Sequence, residues 1–300
     1  MDEPTIGVLI AGRYRLEHQV GEGGMGSVWV AEDETLQRWV AVKLLGERSA
    51  GSRSARDRFE REATAIARLR SPHVVQVFDY GTEGDRAYMV MELLHGQDLL
   101  VWLKANRPAP LRKVGAIIIQ VARALRAAHR AGIVHRDLKP ANIFVVRDHD
   151  QDVVKVFDFG LAKRARDASQ LKELVDRTGE GVLLGTPRYM SPEQAHGARE
   201  VDHRGDLWSL GVIAYLAIVG RLPFDGDGVG EVITKISTET PRPPSAFLED
   251  LPVTVDEFFE RALAKEPADR FQSAQELIEA MDELLDSGRS SVELSIPEGG

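Results

Sequence analysis

The first 95 residues alternate between short apolar runs and turn-forming residues, a pattern that predicts a small antiparallel sheet. Glycines and the polar run Asp33-Glu34-Thr35 separate the apolar runs, as expected for strands joined by tight turns. One helix is predicted from about Ala55 to Arg70, because Pro72 stops its continuation. The predicted strands cover residues 14–20, 27–31, 39–45, 74–80 and 87–93, with a turn at 81–84 between the last two.

From residue 96 onward the apolar residues recur with a helical period. Helices are predicted at 206–219, 255–264 and 274–285, and the polar, Gly- and Ser-rich segment 287–300 predicts a flexible tail or the stub of a linker. A long amphipathic helix is predicted before them, since apolar residues are spaced at i, i+3, i+4, i+7 and i+11. These residues are Val114, Ile117, Ile118, Val121 and Leu125.

Composition restricts the class of protein. The chain has 300 residues, a formal net charge of -9 at pH 7 and no cysteine. The negative net charge argues against a nucleic-acid partner, whose phosphates demand a basic face, and the lack of cysteine excludes disulfides and thiolate metal sites.

The longest nearly uncharged run, Leu207 to Gly220, is too short to span a bilayer, and the N-terminus lacks a signal-peptide pattern. We therefore expect a cytoplasmic protein with no membrane segment in this chain.

One turn-rich loop carries a carboxylate, a lysine and a carboxamide. They are Asp137, Lys139 and Asn142, and a second carboxylate, Asp158 of Asp-Phe-Gly, ends the next apolar run. Phosphoryl transfer from ATP needs such a set: a group that accepts or orients the proton of the incoming hydroxyl, a cation near the phosphate, and oxygen ligands for magnesium. Either motif alone also occurs by chance in surface loops.

Further motifs lie in a fixed order on both sides of this loop. Upstream are Val20-Gly-Glu-Gly-Gly-Met-Gly-Ser-Val28 and Val40-Ala-Val-Lys43, and downstream are Gly185-Thr-Pro-Arg-Tyr-Met-Ser-Pro-Glu193 and Asp206-Leu-Trp-Ser-Leu-Gly211. With these residues the chain resembles the Ser/Thr protein kinase family. The spellings Gly-Glu-Gly-Gly-Met-Gly, Ser-Pro-Glu-Gln and Asp-Arg-Phe at 269–271 resemble its bacterial branch.

The resemblance covers roughly residues 14–286 and implies an α+β, bilobal fold. A small antiparallel sheet lobe with one main helix is expected over about 14–94, and a larger, mostly helical lobe over about 95–286. Residues 1–13 then form an N-terminal extension.

The glycine-rich motif has two interpretations. In a dinucleotide fingerprint the glycines open a helix, but here the strand-like run Ser-Val-Trp-Val follows. Gly21, Gly23 and Gly26 are therefore expected to form a hairpin whose backbone approaches phosphates, with Val20 and Val28 covering the base. An ordinary glycine hairpin is the alternative for the motif alone.

Lys43 lies on a predicted strand, where a lysine is more often an exposed edge residue. A partner is predicted in the following helix, because Glu62 shares the apolar stripe of Phe59 and Ile66, whereas Glu60 points away. A carboxylate on a buried face needs a cation. The resemblance implies that Lys43, paired with Glu62, holds the α- and β-phosphates. A displaced helix with Glu62 facing solvent is the alternative.

The resemblance also implies an adenine site between the lobes. The backbone of Glu92 and Leu94 would contact adenine, with Ala41 and Phe144 as apolar floor and roof and Met91 at the back. Phe144 departs from the leucine that is more usual there. All five residues are also compatible with plain core or linker roles.

Within the catalytic loop the resemblance implies distinct roles. Asp137 would orient or accept the hydroxyl proton, Lys139 would stabilise the γ-phosphate, and Asn142 and Asp158 would bind Mg²⁺, with Mn²⁺ as an alternative. Arg136 would contact an activation-loop phosphate, against the alternative of a surface salt bridge worth under about 1 kcal/mol.

Three structural roles are also expected. His135 is interpreted as a packing residue, Glu193 as the partner of Arg270, and Asp206 as an anchor of the catalytic-loop backbone.

The segment between Asp158 and Glu193 is predicted to be the activation loop. Residues 162–181 are polar and poor in core-forming residues, so we expect a phosphate to order them. Thr178 is the predicted autophosphorylation site, ahead of Ser169, although an exposed threonine without a role is the alternative. Thr186, expected beside the catalytic residues, favours Ser/Thr specificity.

The predicted activity is therefore transfer of the ATP γ-phosphate to protein Ser or Thr hydroxyls, with transient self-association for autophosphorylation. A pseudokinase scaffold is the alternative, but such proteins usually lack the lysine, aspartate or asparagine retained here. A small-molecule phosphotransferase would lack the Gly185–Glu193 segment.

Overall fold

In a computed structural model of the chain, the residues described are 5–23, 26–45, 53–84, 86–148, 151–159, 187–198, 200–249 and 251–293. The strands are β1 Leu9–Ile10, β2 Tyr14–Gly23, β3 Gly26–Asp33, β4 Arg38–Leu45, β5 Val77–Glu83, β6 Arg86–Glu92, β7 Gly96–Asp98, β8 Ile143–Asp148 and β9 Gln151–Val156. The helices are α1 Arg53–Ala67, α2 Leu99–Asn106, α3 Leu111–Arg130, α4 Pro192–Ala195, α5 Arg204–Val219, α6 Val229–Thr238, α7 Val253–Ala262 and α8 Ala274–Glu293.

The small lobe is an antiparallel sheet with one main helix, as predicted. Its six strands have the order β1-β2-β3-β4-β6-β5. Phe59 and Ala63 of α1 pack with Leu45, Ala87 and Met89 in one apolar cluster. A second cluster contains Tyr14, Leu16, Trp29, Val40, Val42 and Val90.

One predicted strand start in this lobe is wrong. The strand expected from Val74 begins at Val77, because residues 73–75 pair with β9 instead. Val74 forms a parallel bridge with Val156, and the Val75 N–H donates to the Val156 carbonyl at 3.0 Å. The predicted extension 1–13 also contributes a strand, since Leu9 and Ile10 pair with Arg15 and Tyr14.

The large lobe is built around α5, whose residues 205–219 are all buried. Such a helix is apolar all round, as expected at the centre of a core. Helix α3 carries the predicted apolar stripe and packs against α5 and α8. A three-stranded sheet, in the order β7-β8-β9, lies at the junction with the small lobe. Gly96 is required there, because a Cβ would lie 2.1 Å from the Val145 carbonyl oxygen.

The C-terminal boundary differs from the prediction. Helix α8 continues to Glu293, so residues 287–293, expected to belong to a flexible tail, are helical. The hydroxyl of Ser287 donates to the Leu284 carbonyl one turn earlier at 2.9 Å. Helices α2, α4 and α6 were not predicted individually. In the part of the chain that the structure describes, no helix has both the length and the apolar character needed to cross a membrane.

Candidate active site

The glycine-rich motif is a β-hairpin. Gly21 lies opposite Val28 and Gly23 opposite Gly26 in the β2–β3 register, so the glycines do not open a helix and the dinucleotide interpretation is wrong. Gly26 has φ 142°, a backbone conformation that favours glycine. Val20 is exposed and Val28 is half-buried, so both keep accessible apolar surface.

Lys43 and Asp158 meet across the junction of the lobes. The Lys43 Nζ lies 2.5 Å from Asp158 Oδ1, and the Asp158 side chain is 43% exposed. Lys43 sits in the middle of the sheet, opposite Val28 on β3 and Met89 on β6. The lysine is therefore an interior residue facing the site, not an exposed edge residue.

The predicted partner of Lys43 is outside the described side chains. Glu62 lies within α1, but its side chain is not among those described. Phe59 and Ile66 are buried and Glu60 is exposed, which fits the predicted stripe. The Lys43–Glu62 pair stays a prediction.

The predicted hinge follows β6 directly. Ala41 is buried opposite Met91 in the β4–β6 register. The Glu92 carboxylate contacts Lys155 Nζ at 2.7 and 3.0 Å and also accepts the Gln76 N–H at 2.7 Å. The side chain of Glu92 is thus occupied by structural contacts, and its N–H donates to the Gln76 carbonyl at 2.9 Å. The contact of its backbone with adenine stays a prediction.

Two apolar residues predicted for the adenine site lie near this hinge. Leu94 follows β6 and is half-buried. Phe144, on β8 between Asp98 and Lys155 in register, is also half-buried. Each keeps surface for a ligand, although their contact with adenine stays a prediction.

Strand pairing brings Asn142 and Asp158 together. Ile143 lies opposite Val156 in the β8–β9 register, and the Phe157 N–H donates to the Asn142 carbonyl at 3.1 Å. The residues predicted to bind a metal are therefore at the same end of this hairpin. Asp158 has φ 55°, a conformation that costs a non-glycine residue about 1–3 kcal/mol and is common at functional sites.

The catalytic loop holds Asp137 through neighbours in sequence. Lys139 Nζ contacts Asp137 Oδ2 at 3.0 Å, and Asn142 Nδ2 donates to the Asp137 carbonyl at 2.9 Å. Because the amide nitrogen of Asn142 faces Asp137, its amide oxygen points elsewhere and is a candidate metal ligand. Asp137 is 9% exposed.

Asp206 anchors the backbone of this loop, as predicted. Its Oδ2 accepts the His135 N–H and its Oδ1 accepts the Arg136 N–H, both at 2.8 Å. Arg136 has φ 61°, and its carbonyl accepts Gln194 Nε2 at 2.9 Å. Contacts on both sides of Arg136 thus fix the unusual conformation of the residue before Asp137.

His135 has the predicted packing role. It is fully buried, and its ring lies 4.8 Å from that of Phe159. Nε2 donates to the Phe157 carbonyl at 3.1 Å and Nδ1 accepts the Asp137 N–H at 3.3 Å, which the neutral ring satisfies. Burial lowers the pKa of His135 below its ordinary 6.5.

The predicted Glu193–Arg270 pair is confirmed. The guanidinium of Arg270 donates to both carboxylate oxygens at 2.9 and 2.8 Å, and its side chain is fully buried. Burial alone would raise the pKa of Glu193, but the hydrogen bonds and charge of Arg270 lower it overall. This pair ties α4 to the segment before α8.

Several predicted residues lie outside the described ranges. Thr178, Thr186 and Ser169 belong to 160–186, which the structure does not describe, so their roles stay predictions. Arg136 is half-buried, and its Nε has no hydrogen-bond partner among the described residues.

Sequence reasoning missed the Lys43–Asp158 ion pair and other polar contacts around the site. Lys155 fixes Glu92, Gln194 holds the Arg136 carbonyl, and His129 contacts Asp206. Only Lys155 had a sequence signal: it alternates with buried Val154 and Val156, so it had to face the other side of β9.

The structure combines a lobe of antiparallel strands, a helical lobe and a carboxylate-rich site at their junction. These features together define the class of protein to which the chain belongs. The family model described as the protein kinase domain matches residues 14–281, and the chain belongs to this family. It is 42% identical over 274 residues to the serine/threonine-protein kinase pkn3 of Myxococcus xanthus, covering 90% of this chain and 49% of that protein. It is 41% identical over 283 residues to PknA of Mycobacterium tuberculosis, covering 93% of this chain and 62% of PknA.

The fold matches a solved structure as well. The crystal structure of the Mycobacterium tuberculosis PknI kinase domain superposes with a TM-score of 0.72 and 32% identity, covering 94% of this chain and 100% of that one. The chain thus spans about half to three-fifths of the two curated relatives, but all of the solved kinase domain.

Proposed function

We propose that this chain transfers the γ-phosphate of ATP to Ser or Thr hydroxyls of proteins. One observation supports this function above all: Lys139 and Asn142 both contact Asp137, Lys43 pairs with Asp158, and the hydrogen bond from the Phe157 N–H to the Asn142 carbonyl joins the two groups at the junction of the lobes. These are the residue types that phosphoryl transfer requires. The names of the relatives support the same activity.

The substrate hydroxyl would react at Asp137. Its oxygen attacks the γ-phosphorus, the bond to the β–γ bridging oxygen breaks, and ADP leaves while the hydroxyl proton passes to Asp137. Lys139, 3.0 Å from Asp137 Oδ2, holds the carboxylate that would accept this proton. Lys139 also supplies positive charge beside the transferring group.

Phosphate binding would fall to the small lobe. The β2–β3 hairpin presents glycine backbone, and Lys43 is held in the sheet with its Nζ at the junction. The ion pair with Asp158 sets the position of this ammonium before nucleotide binds.

A divalent cation fits the remaining oxygens. The Asp158 carboxylate and the Asn142 amide oxygen are hard ligands of the kind that Mg²⁺ prefers, and Mn²⁺ accepts the same set. When bound, the ion neutralises charge on the phosphates. Asp158 remains 43% exposed despite its contact with Lys43, so its carboxylate is accessible to such an ion.

Autophosphorylation of Thr178 is part of the proposal. A phosphothreonine would add about -1.5 to -2 charges, and the half-buried Arg136, whose Nε lacks a partner among the described residues, would receive it. Transient self-association would supply one copy as substrate. Composition and the net charge of -9 support a cytoplasmic location and the lack of a nucleic-acid partner as further parts of the proposal.

The decisive experiment is phosphate transfer from γ-labelled ATP with Mg²⁺. The wild-type chain should label itself and a generic protein acceptor on Ser and Thr, and mass spectrometry should locate phosphate at Thr178. Asp137→Asn should label neither. Nucleotide binding without any transfer would instead support a scaffold, and labelling of small alcohols but not proteins would support a small-molecule phosphotransferase.

A further inference from the structure

His129, at the C-terminal end of α3, contacts a residue that anchors the catalytic loop. Its Nε2 lies 2.8 Å from Asp206 Oδ2, and the two side chains are 11% and 1% exposed. An ionised carboxylate only accepts hydrogen bonds, so Nε2 carries the proton of this contact. The bond joins α3 to the first turn of α5.

Three donors converge on the Asp206 carboxylate. Oδ2 receives both His129 Nε2 and the His135 N–H, and Oδ1 receives the Arg136 N–H. A buried carboxylate is costly unless its oxygens are satisfied. His129 is the donor that comes from outside the loop, so it is the contact that can orient the carboxylate independently of the loop.

The other ring nitrogen of His129 has no such role. Nδ1 is buried and has no hydrogen-bond partner in the described ranges. The neighbouring ring of His203, 5.2 Å away, is fixed by its own contact with the Gln272 carbonyl at 2.9 Å. The polar function of His129 therefore resides in Nε2 alone.

The conformation of the loop depends on Asp206. Arg136 has φ 61°, which a non-glycine residue keeps only where its surroundings impose it. If the carboxylate turned, the Arg136 N–H would lose its acceptor, the backbone would relax, and Asp137, the next residue, would move. Displacements of about 1 Å at a reacting group can cost about a hundredfold in rate.

We propose that His129 is a positioning residue for phosphoryl transfer. Its Nε2–H orients the Asp206 carboxylate so that both oxygens receive consecutive N–H groups of the catalytic loop, and this sets the place of Asp137. The expected effect of His129 on the rate rests on the proposed kinase function. Its expected effect on the conformation of the catalytic loop does not.

Two substitutions separate the ring nitrogens. In His129→Gln the amide nitrogen is about as far from the backbone as Nε2 and can donate to Asp206, whereas in His129→Asn it reaches only the position of Nδ1. We expect His129→Asn to lower kcat by about 10- to 100-fold, with the KM for ATP changed by less than about twofold. His129→Gln should restore kcat to within about threefold of wild type.

A matched control is His203→Asn. This change removes a ring that packs against His129 but donates nothing to Asp206, so kcat should stay within about twofold of wild type. Equal kcat values for the two His129 variants, or a loss that appears in KM for ATP alone, would overturn the proposal.

NMR gives a readout that does not require activity. In the wild-type chain, ¹⁵N spectra should show the Nε2–H form of His129, and the Arg136 amide proton should have the downfield shift of an N–H bound to a carboxylate. The Asn variant should move that amide signal and the Gln variant should not. If the wild type transfers no phosphate, the kinase function fails, while the Arg136 signal still decides the role of His129. An Arg136 signal unchanged in both variants would refute it.

Discussion

Asp137 and Asp158 are carboxylates of one site, yet they are held in different ways. Asp137 is nearly buried, and its described contacts come from His135, Lys139 and Asn142 of the same loop. Asp158 is 43% exposed, and its described ion pair comes from Lys43 of the other lobe. The described contacts of Asp137 therefore lie within the large lobe, whereas the described ion pair of Asp158 depends on how the two lobes meet.

The largest expected effect separates these carboxylates by role. Asp137→Asn should keep nucleotide affinity but reduce turnover by roughly 10²- to 10⁴-fold, because only the proton acceptor is lost. Asp158→Asn should instead weaken nucleotide binding only when Mg²⁺ is present. Titrations with and without Mg²⁺, beside steady-state rates, test both. Full turnover in the Asp137 variant would contradict its assignment.

Removing the contact between the lobes should have a smaller but different effect. Lys43→Met should lower kcat/KM by about 10²- to 10³-fold because a phosphate ligand is lost. The apolar replacement should retain strand packing, so the unfolding midpoint should change little. Calorimetry and rate measurements on one preparation check this. A variant that unfolds early would show that the ion pair supports the fold.

The framework of the large lobe can be tested by stability. Glu193→Gln leaves the buried Arg270 charge uncompensated, and breaking a buried pair typically costs about 3–5 kcal/mol. The matched control is Arg15→Gln, which breaks an exposed pair with Glu34 and should cost under about 1 kcal/mol. Urea unfolding compares them, and similar losses would mean that Arg270 is satisfied by backbone carbonyls alone.

The smallest expected effect is a pH dependence of stability. Burial lowers the pKa of His135 and His73 below 6.5, so the unfolded chain binds more protons near and below this pH. The contribution of the two neutral histidines to the free energy of unfolding is present above about pH 6.5 and is lost as the pH falls. The unfolding midpoint should therefore drop between about pH 7 and pH 5.

Substitution identifies the source of that dependence. His135→Gln keeps a donor for the Phe157 carbonyl but cannot titrate, so its midpoint should vary less with pH. His18→Gln, at an exposed position, should follow the wild-type curve. A His135 variant with an unchanged slope would exclude this histidine as the cause.

Local pattern and ordered motifs predicted most of the fold and the composition of the site. The strand after Gly26 distinguished a hairpin from a helix-opening loop, and the helical period predicted α3. The resemblance to the kinase family predicted the Glu193–Arg270 pair and the anchoring role of Asp206, because each of these residues lies within one of the ordered motifs.

Contacts between distant polar residues could not be predicted. Lys155 and Glu92 are 63 positions apart, and His129 and Asp206 are 77 apart. Periodicity indicates which face a side chain occupies but not which residue lies opposite. The helical residues 287–293 were missed for a different reason, since their polar composition is typical of tails while a helix already begun at Ala274 extends at little cost per residue.

The pairing of residues 73–75 with β9 has a mechanical consequence. The lobes are joined covalently through 93–95, and a second time by the hydrogen bonds Val75 N–H to Val156 carbonyl and Val156 N–H to His73 carbonyl. The Lys43–Asp158 ion pair is a further contact between the lobes. Once that pair opens, the two attachments would restrict movement of one lobe against the other mainly to rotation about the line through them. Glu92 lies beside both attachments, because it ends β6 just before 93–95 and its N–H donates to the Gln76 carbonyl at 2.9 Å. We therefore expect its backbone to move little in such a rotation, so a base held there would stay in place.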